Sequence, residues 1–289
     1  MWVVYAFSAA FFAGVTSILA KIGIKHTDSN LATALRTVVV AVFAWLVVFA
    51  AGSQSSITGI SAKSLVFLVL SGLATGGSWL CYFRALKLGD VSKVVPVDKS
   101  STVLTIVLSV IFLSESLTWV KAAAVILIGA GTYLMIERKS NKPEKFNGFS
   151  GSWLFYAILS AVFASLTAIL AKIGIADVEA NLGTAIRTMV VLVMAWVIVF
   201  ISGKHRDIKD IDKRSRVFIA LSGIATGLSW LCFYRALQDG PVSVVVPIDK
   251  LSILITIMFS FFILREKLSK WSVAGLAMIT VGTLSMLVV

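Results

Sequence analysis

The sequence predicts an all-α integral membrane fold of ten transmembrane helices, arranged as two inverted five-helix repeats. Three observations predict it: a composition too apolar for a solvated exterior, ten apolar runs of spanning length, and an internal duplication with an odd number of runs per copy. Hydrophobic residues make up 58% of the chain and charged residues 14%, with a mean hydropathy of +0.97. A soluble domain of 289 residues needs a charged surface that this composition cannot supply.

A span needs about 20 apolar residues. The runs fall near 2–24, 31–51, 64–88, 91–113, 118–136, 153–175, 182–202, 216–238, 241–264 and 271–289. The first has no basic residue ahead of it, and its repeat partner is an ordinary mid-chain span, so it reads as a retained helix rather than a signal segment. Cys81 and Cys232 both lie inside runs and read as small packing residues, not as a disulfide or a metal pair. The net charge of +12 has no soluble basic domain to hold it, so nucleic acid is excluded and the charge reads as membrane topology.

A shift of 151 residues aligns the halves: AKIGI at 20–24 with 171–175, SGLATGGSWLCYFRAL at 71–86 with SGIATGLSWLCFYRAL at 222–237, and VVPVDK at 94–99 with VVPIDK at 245–250. The expected organisation is a first repeat over 1–137, a basic linker over 138–151 and a second repeat over 152–289. With five spans per copy, the second must enter the membrane from the opposite side. The charges agree. Of 26 Lys and Arg, eight recur at equivalent positions within or at the ends of spans. Of the other 18, odd-numbered loops and their flanks hold 16, and even-numbered ones hold only Lys63 and Lys121. Positive loops stay inside, so odd loops and linker are expected in the cytoplasm of a cell-membrane protein, and both termini outside.

The residues 83–99 (FRALKLGDVSKVVPVDK) and 234–250 (YRALQDGPVSVVVPIDK), with a glutamate closing each fourth span in FLSESLT (112–118) and ILREKLS (263–269), give the chain its family likeness. It resembles the EamA-type ten-helix members of the drug/metabolite transporter superfamily along nearly its whole length. The resemblance implies a secondary transporter or exporter of amino acids or related metabolites, with a central cavity between the repeats. It departs from the small four-helix multidrug exporters of that superfamily, which use a carboxylate in the first helix. Residues 1–24 and 153–175 hold no Asp or Glu, so proton-coupled export of cationic drugs by that route is unsupported.

Ser71, Thr75, Ser78 and Tyr82 share one face of the third span, as do Ser222, Thr226, Ser229 and Phe233 on its partner. Asp98, Thr102, Thr105 and Ser109 form a similar row on the fourth, matched by Asp249, Thr256 and Ser260 with Ile253 interrupting. A weaker row on the first runs Tyr5, Phe12, Thr16, matched by Tyr156, Phe163, Thr167. Such rows belong in the bundle interior or a wet cavity. Interhelical hydrogen bonding and solute lining are both open, and recurrence on three helices per copy favours lining. Trp79 and Trp230 are packing residues or cavity walls. Gly72 with Gly76, and Gly223 with Gly227, read as close helix packing. The expected cavity residues are thus Thr75, Ser78, Trp79, Tyr82, Asp98, Lys99 and Thr102, with Thr226, Ser229, Trp230, Asp249 and Lys250.

Lys21 and Arg84 lie about 12 Å from the centres of their spans, within snorkelling range of headgroups. Arg36 lies about 7–8 Å from centre, and Asp98 and Lys99 about 4–6 Å. An unpaired charge there costs about 2.5–3.5 kcal/mol. Asp98 and Lys99 are about 100° apart on a helix, so each is expected to find its partner on another helix, Arg36 being a candidate for Asp98. Pro96 and Pro247 permit a kink beside these pairs, as a hinge or as a static bend. Topology gathers Lys21, Arg36, Arg84, Asp98 and Lys99 at the cytoplasmic mouth, and Lys172, Arg187, Arg235, Asp249 and Lys250 at the outer one. These basic clusters are expected to gate one central site and to favour anionic or zwitterionic solutes.

An intramembrane enzyme is the alternative from another class. His26 and His205 sit in loops, which removes embedded Ser–His or metal chemistry, and inversion sets Asp98 and Asp249 too far apart to share a proton. No phosphate-binding loop points to ATP-driven pumping. A flippase for a lipid-linked, phosphate-bearing head group stays open, since basic mouths suit phosphate. No cofactor or metal is expected. The expected partners are a small solute and membrane lipids; a coupling proton and a homodimer are left open.

Overall fold

The computed structural model describes residues 1–23, 27–88, 94, 97–134, 153–263 and 270–288. The basic linker, Pro96 and the second closing glutamate, Glu266, lie outside them. The described residues are helical with no strand: α1 (Trp2–Gly23), α2 (Ser29–Ala50), α3 (Ala62–Leu88), α4 (Ser101–Leu113), α5 (Trp119–Leu134), α6 (Trp153–Gly174), α7 (Ala180–Ile201), α8 (Lys213–Asp239), α9 (Val242–Lys250), α10 (Ser252–Ile263) and α11 (Lys270–Ser285). Short 3-10 turns, Ser53–Gly59 and Lys204–Asp210, precede α3 and α8. Among the described residues six helices, α1, α2, α3, α6, α7 and α8, are long and apolar enough to cross a membrane.

The duplication extends to the helix ends. Asp28 Oδ1 accepts from the N–H groups of Asn30 (3.0 Å) and Leu31 (3.2 Å) to cap α2, and Glu179, at the equivalent position, accepts from Leu182 N–H (2.9 Å) to cap α7. Gly52 and Gly203 turn the chain out of α2 and α7 at φ 72° and 70°. Ser61 accepts from Ser64 N–H (3.1 Å) ahead of α3, and Asp212 from Ser215 N–H (3.0 Å) ahead of α8. The Ser215 hydrogen bonds hold the Asp212 carboxyl below the ordinary carboxylate range.

Outside, these helices are apolar. Val42, Leu46 and Phe49 form an exposed stripe on α2, and their equivalents Val193, Val197 and Phe200 do the same on α7. Inside, small residues allow close approach, the inverse of a water-soluble bundle.

The chain divides into two compact units, each drawing on both repeats. The first comprises Met1–Leu73, Leu170–Gly240 and Ile248–Arg265. Its spine is α1 against α8, running antiparallel: Gly240 lies against Trp2, Ser229 Oγ donates to Ala9 O (3.0 Å), Thr226 Oγ1 meets Thr16 Oγ1 (3.3 Å), and Ile219 lies against Gly23. Here α2 packs on α8 at Gly223, where a Cβ would stand 2.7 Å from Val39 Cβ and 3.0 Å from Arg36 O. Gly72 is placed likewise against Val190 on α7. Ala44, Val48, Val178, Leu182 and Ala185 form a cluster joining α2 to α7.

The second unit comprises Ala74–Ile169, Pro241–Pro247 and Glu266–Val289. In it the C-terminal half of α3 packs antiparallel on α6, through Thr75 with Thr167 (3.3 Å) and Ser78 with Ser160 (3.2 Å). The helices α5 and α11 also run antiparallel, with Gly131 against Gly275 O and Gly282 against Ala124 O. Those two contacts are repeat equivalents of each other.

The expected span over 241–264, described to Ile263, is not one continuous helix: a one-residue turn at Leu251 separates α9 from α10. A turn residue with right-handed helical dihedrals, Ser100, also stands ahead of α4. Tightened bonds mark both: Ser100 N–H to Val97 O (3.2 Å), and Leu251 N–H to Ile248 O (2.9 Å). In the second copy the break falls four residues after Pro247, which supplies no N–H to α9, and directly after the charged Asp249–Lys250 pair.

Replacing Gly223 by Leu forces α2 and α8 apart. It should lower the thermal midpoint of the detergent-solubilised protein by an amount equivalent to about 1–3 kcal/mol. Gly59→Leu, at a position with nothing within 4 Å, should leave the midpoint in place.

Candidate functional site

The polar rows of the third spans are buried and committed to neighbouring helices. Ser71 accepts from Arg187 Nε (2.9 Å), Thr75 bonds Thr167, Ser78 bonds Ser160, Thr226 bonds Thr16 and Ser229 bonds the Ala9 carbonyl. In this conformation interhelical hydrogen bonding is what Thr75, Ser78, Thr226 and Ser229 do. On α4, Thr102 is buried, while Thr105 donates to Ser101 O (2.7 Å) and Ser109 to Ile106 O (2.9 Å) on their own helix. Trp79 and Tyr82 are half-buried, and Tyr5 is exposed rather than interior.

The embedded charges fall into distinct environments. Asp98, on the short helical segment before Ser100, accepts from Ser160 Oγ at 2.7 Å. Ser160 is a residue sequence reasoning missed; its repeat equivalent is Ala9, so no duplicated motif marked it. Arg36 belongs to the first unit and Asp98 to the second, and Asp98 has this partner within its own. Partners on other helices were expected for Asp98 and Lys99; in the equivalent pair of the second copy, Lys250 Nζ lies 3.6 Å from Asp249 Oδ2. The helix ends at Lys250, so its long side chain can fold back in a way a mid-helix neighbour cannot.

Arg187 is enclosed, 2% exposed, and so is not mouth-lining in this conformation. Its guanidinium lies 4.7 Å from the ring centre of Tyr234 and 5.4 Å from that of Trp230, two cation–π contacts in a desolvated setting. Trp230 is thereby the wall of an arginine pocket. Lys172 Nζ donates to the carbonyls of Leu237 (2.6 Å), Gln238 (3.0 Å) and Gly240 (3.0 Å), a cation closing the C-terminus of α8. Arg235 pairs with Asp239 (3.2 Å), an acid the first repeat replaces by Leu88. Lys21, Arg84 and Lys99 are exposed, Arg84 lying over Tyr156 at 5.9 Å. Arg36 is half-buried on α2.

Glu115, noted in the sequence only as the closing residue of FLSESLT, binds the start of α9. Its carboxylate accepts from Val242 N–H (2.6 Å) and Ser243 N–H (3.0 Å). A negative charge on two orphan amides at a helix N-terminus is the favourable electrostatic sense. Glu115→Ala should cost about 1–3 kcal/mol in thermal unfolding, with Glu115→Gln falling between the two.

The EamA-like transporter family matches residues 1–137 and again 151–288. An uncharacterized transporter encoded in the cobO 3′ region of a Sinorhizobium species is 44% identical over 135 residues, 47% of this chain and 96% of the relative. An uncharacterized protein of Methanocaldococcus jannaschii is 27% identical over 96 residues, 30% of this chain and 70% of its own length. Both relatives are about one repeat long. A solved crystal structure superposes with TM-score 0.80 at 17% identity, covering 99% of this chain and 96% of the other, which shows the shared fold. Two matched repeats and a run of membrane-crossing helices make this chain a multi-pass membrane transporter of the EamA-like family, within the drug/metabolite transporter superfamily.

Proposed function

We propose that the protein is a secondary transporter that moves small anionic or zwitterionic metabolites, amino acids among them, by alternating access through ten spans in two inverted repeats. The observation that carries this reading is a tightened turn in the fourth span of each copy, directly after an Asp–Lys pair. Ser100 keeps right-handed helical dihedrals and donates to Val97 O (3.2 Å), and Leu251 donates to Ile248 O (2.9 Å). Irregular helical turns beside embedded charges are a feature of membrane carriers at their transport sites.

Helix sense supports inversion. First and third spans of one copy cross in the same direction, so in parallel repeats α1 and α8 would run alike. They run antiparallel, and so do the fifth helices, α5 and α11. The basic loop 204–216 against its nearly neutral counterpart 53–63 supports odd loops and the linker in the cytoplasm and both termini outside. In that orientation the Glu115–Val242 contact lies toward the outer face. At the expected cytoplasmic mouth the exposed cations Lys21, Arg84 and Lys99 support negatively charged or zwitterionic cargo.

A thermal-shift screen of the purified protein against amino acids, phosphorylated metabolites and nucleobases should identify a stabilising ligand, since binding raises stability by mass action. That ligand should exchange into proteoliposomes, and Lys99→Met or Lys250→Met should slow exchange by about tenfold or more, equivalent to at least about 1.4 kcal/mol. Accelerated movement of labelled lipid, with no exchange of any soluble solute, would replace the carrier by a flippase.

A further inference from the structure

The start of α9 depends for its cap on the other repeat. Pro241 holds the N-cap position, its carbonyl accepting from the N–H groups of Val244 (3.1 Å) and Val245 (3.0 Å), but its ring carries no acceptor for the orphan amides beyond it. At the equivalent position the first repeat has Asp90, a residue type that caps its own helix. In α9 the role passes to Glu115, whose carboxylate accepts from Val242 N–H (2.6 Å) and Ser243 N–H (3.0 Å) from 127 and 128 residues away in the chain. This helix is therefore capped only while the end of α4 stays beside it.

The turn that carries Glu115 is held in an uncommon shape. Ser114 lies at φ 54° and ψ 31°, the left-handed region, and is the one non-glycine residue with positive φ among the described residues. It folds the chain back so that Glu115 N–H reaches Ser109 O (3.3 Å). From α5 the ammonium of Lys121, a side chain only 6% exposed, donates to Ser116 O (2.9 Å) and secures the same turn.

The segment it grips is equally poised. Val242, Val244, Val245 and Val246 are buried, and among them Ser243 is fully buried with no hydrogen-bond partner for its Oγ. A hydroxyl orphaned away from water opposes this conformation, and water reaching it would remove that penalty. The charge-assisted bonds of Glu115 act the other way. At Pro247 the helix lacks the N–H that would bond Ser243 O, and there the compact units divide: Pro241–Pro247 belong with Glu115 in the second, Ile248 onward to the first. The start of α9 can thus leave Glu115 without unwinding the rest of its span.

We propose that Glu115 is the latch of an outer gate: its carboxylate holds the start of α9 closed against water, and its release opens a path from the outer face to Ser243. The side of the membrane rests on the inverted topology proposed above; the latch rests on neither the cargo nor the direction of its movement.

The test is thiol accessibility of the full chain in intact cells, with Cys81 and Cys232 replaced. Ser243→Cys reports the gate. Thr283→Cys, fully buried on α11, reports the tightness of the same unit, and Ser55→Cys marks the outer surface. A charged, membrane-impermeant methanethiosulfonate added outside should modify Ser55→Cys quickly, and Ser243→Cys and Thr283→Cys slowly. Glu115→Ala should speed modification of Ser243→Cys by about tenfold or more, the change expected when hydrogen bonds to a charged group are lost. Glu115→Gln, which keeps the shape and one acceptor, should speed it less, and Thr283→Cys should stay slow in both. The proposal is overturned if Ser243→Cys keeps its rate in Glu115→Ala. It is also overturned if Thr283→Cys speeds up equally, since Glu115 would then be a structural cap whose loss loosens the whole unit. Resistance of Ser55→Cys from outside would overturn the outer placement of the gate, and would do so through the topology rather than through the latch.

Discussion

A hydroxyl, amide or charge within hydrocarbon finds its partner inside the protein or imposes a cost of several kcal/mol. Much of the architecture follows from how this chain meets that demand. The antiparallel seam of α1 on α8 places Thr16 opposite Thr226 and the Ala9 carbonyl opposite Ser229, while Gly23 and Gly240 admit side chains from the facing helix. In the other unit, α3 on α6 repeats the pairing with Thr75, Thr167, Ser78 and Ser160. Because lipid is as apolar as leucine, hydrophobicity cannot hold such helices together. Close packing at Gly72 and Gly223 and these few hydroxyl bonds take its place.

The same demand explains how two nearly equivalent copies came to differ. Ser160 against Ala9 gives one embedded carboxylate a hydroxyl and leaves the other to a neighbouring ammonium. Asp239 against Leu88 gives Arg235 a partner that Arg84 lacks at that position, and Arg84 lies over Tyr156 instead. Arg187 is enclosed and packs against the rings of Tyr234 and Trp230, while its equivalent Arg36 is half-buried. Small substitutions thus give the copies separate tasks within a shared backbone, and the one-repeat length of the curated relatives fits a duplicated origin for that backbone.

Much of this was legible in the amino-acid sequence, because lipid makes composition and length informative. Apolar runs placed the long helices, the 151-residue shift paired their capping residues, and Gly72, Gly223 and Gly227 of the GxxxG pairs proved to be contact points. Side-chain partners were less legible, because they depend on tertiary neighbours that no periodicity encodes. Ser160 stood out in no motif, since its significance lies in Asp98 being opposite. Pairing of Asp249 with Lys250 ran against helical spacing because the helix stops there. Proline forecast a kink beside the charges, but not that the span would divide four residues later. The hydroxyls of the third spans lie inward, and Thr75, Ser78, Thr226 and Ser229 bind neighbouring helices, whereas Thr105 and Ser109 bond their own and Tyr5 is exposed.

Opposed insertion of the two copies is the claim everything else requires, and side-specific labelling tests it most directly. Ser55 and Arg206 are repeat equivalents, both exposed on the 3-10 turns. With Cys81 and Cys232 replaced, a single cysteine at either position can be probed in intact cells with a membrane-impermeant maleimide. The account predicts labelling of Ser55→Cys from outside and of Arg206→Cys only after the membrane is permeabilised. Labelling of both from the same side would contradict it.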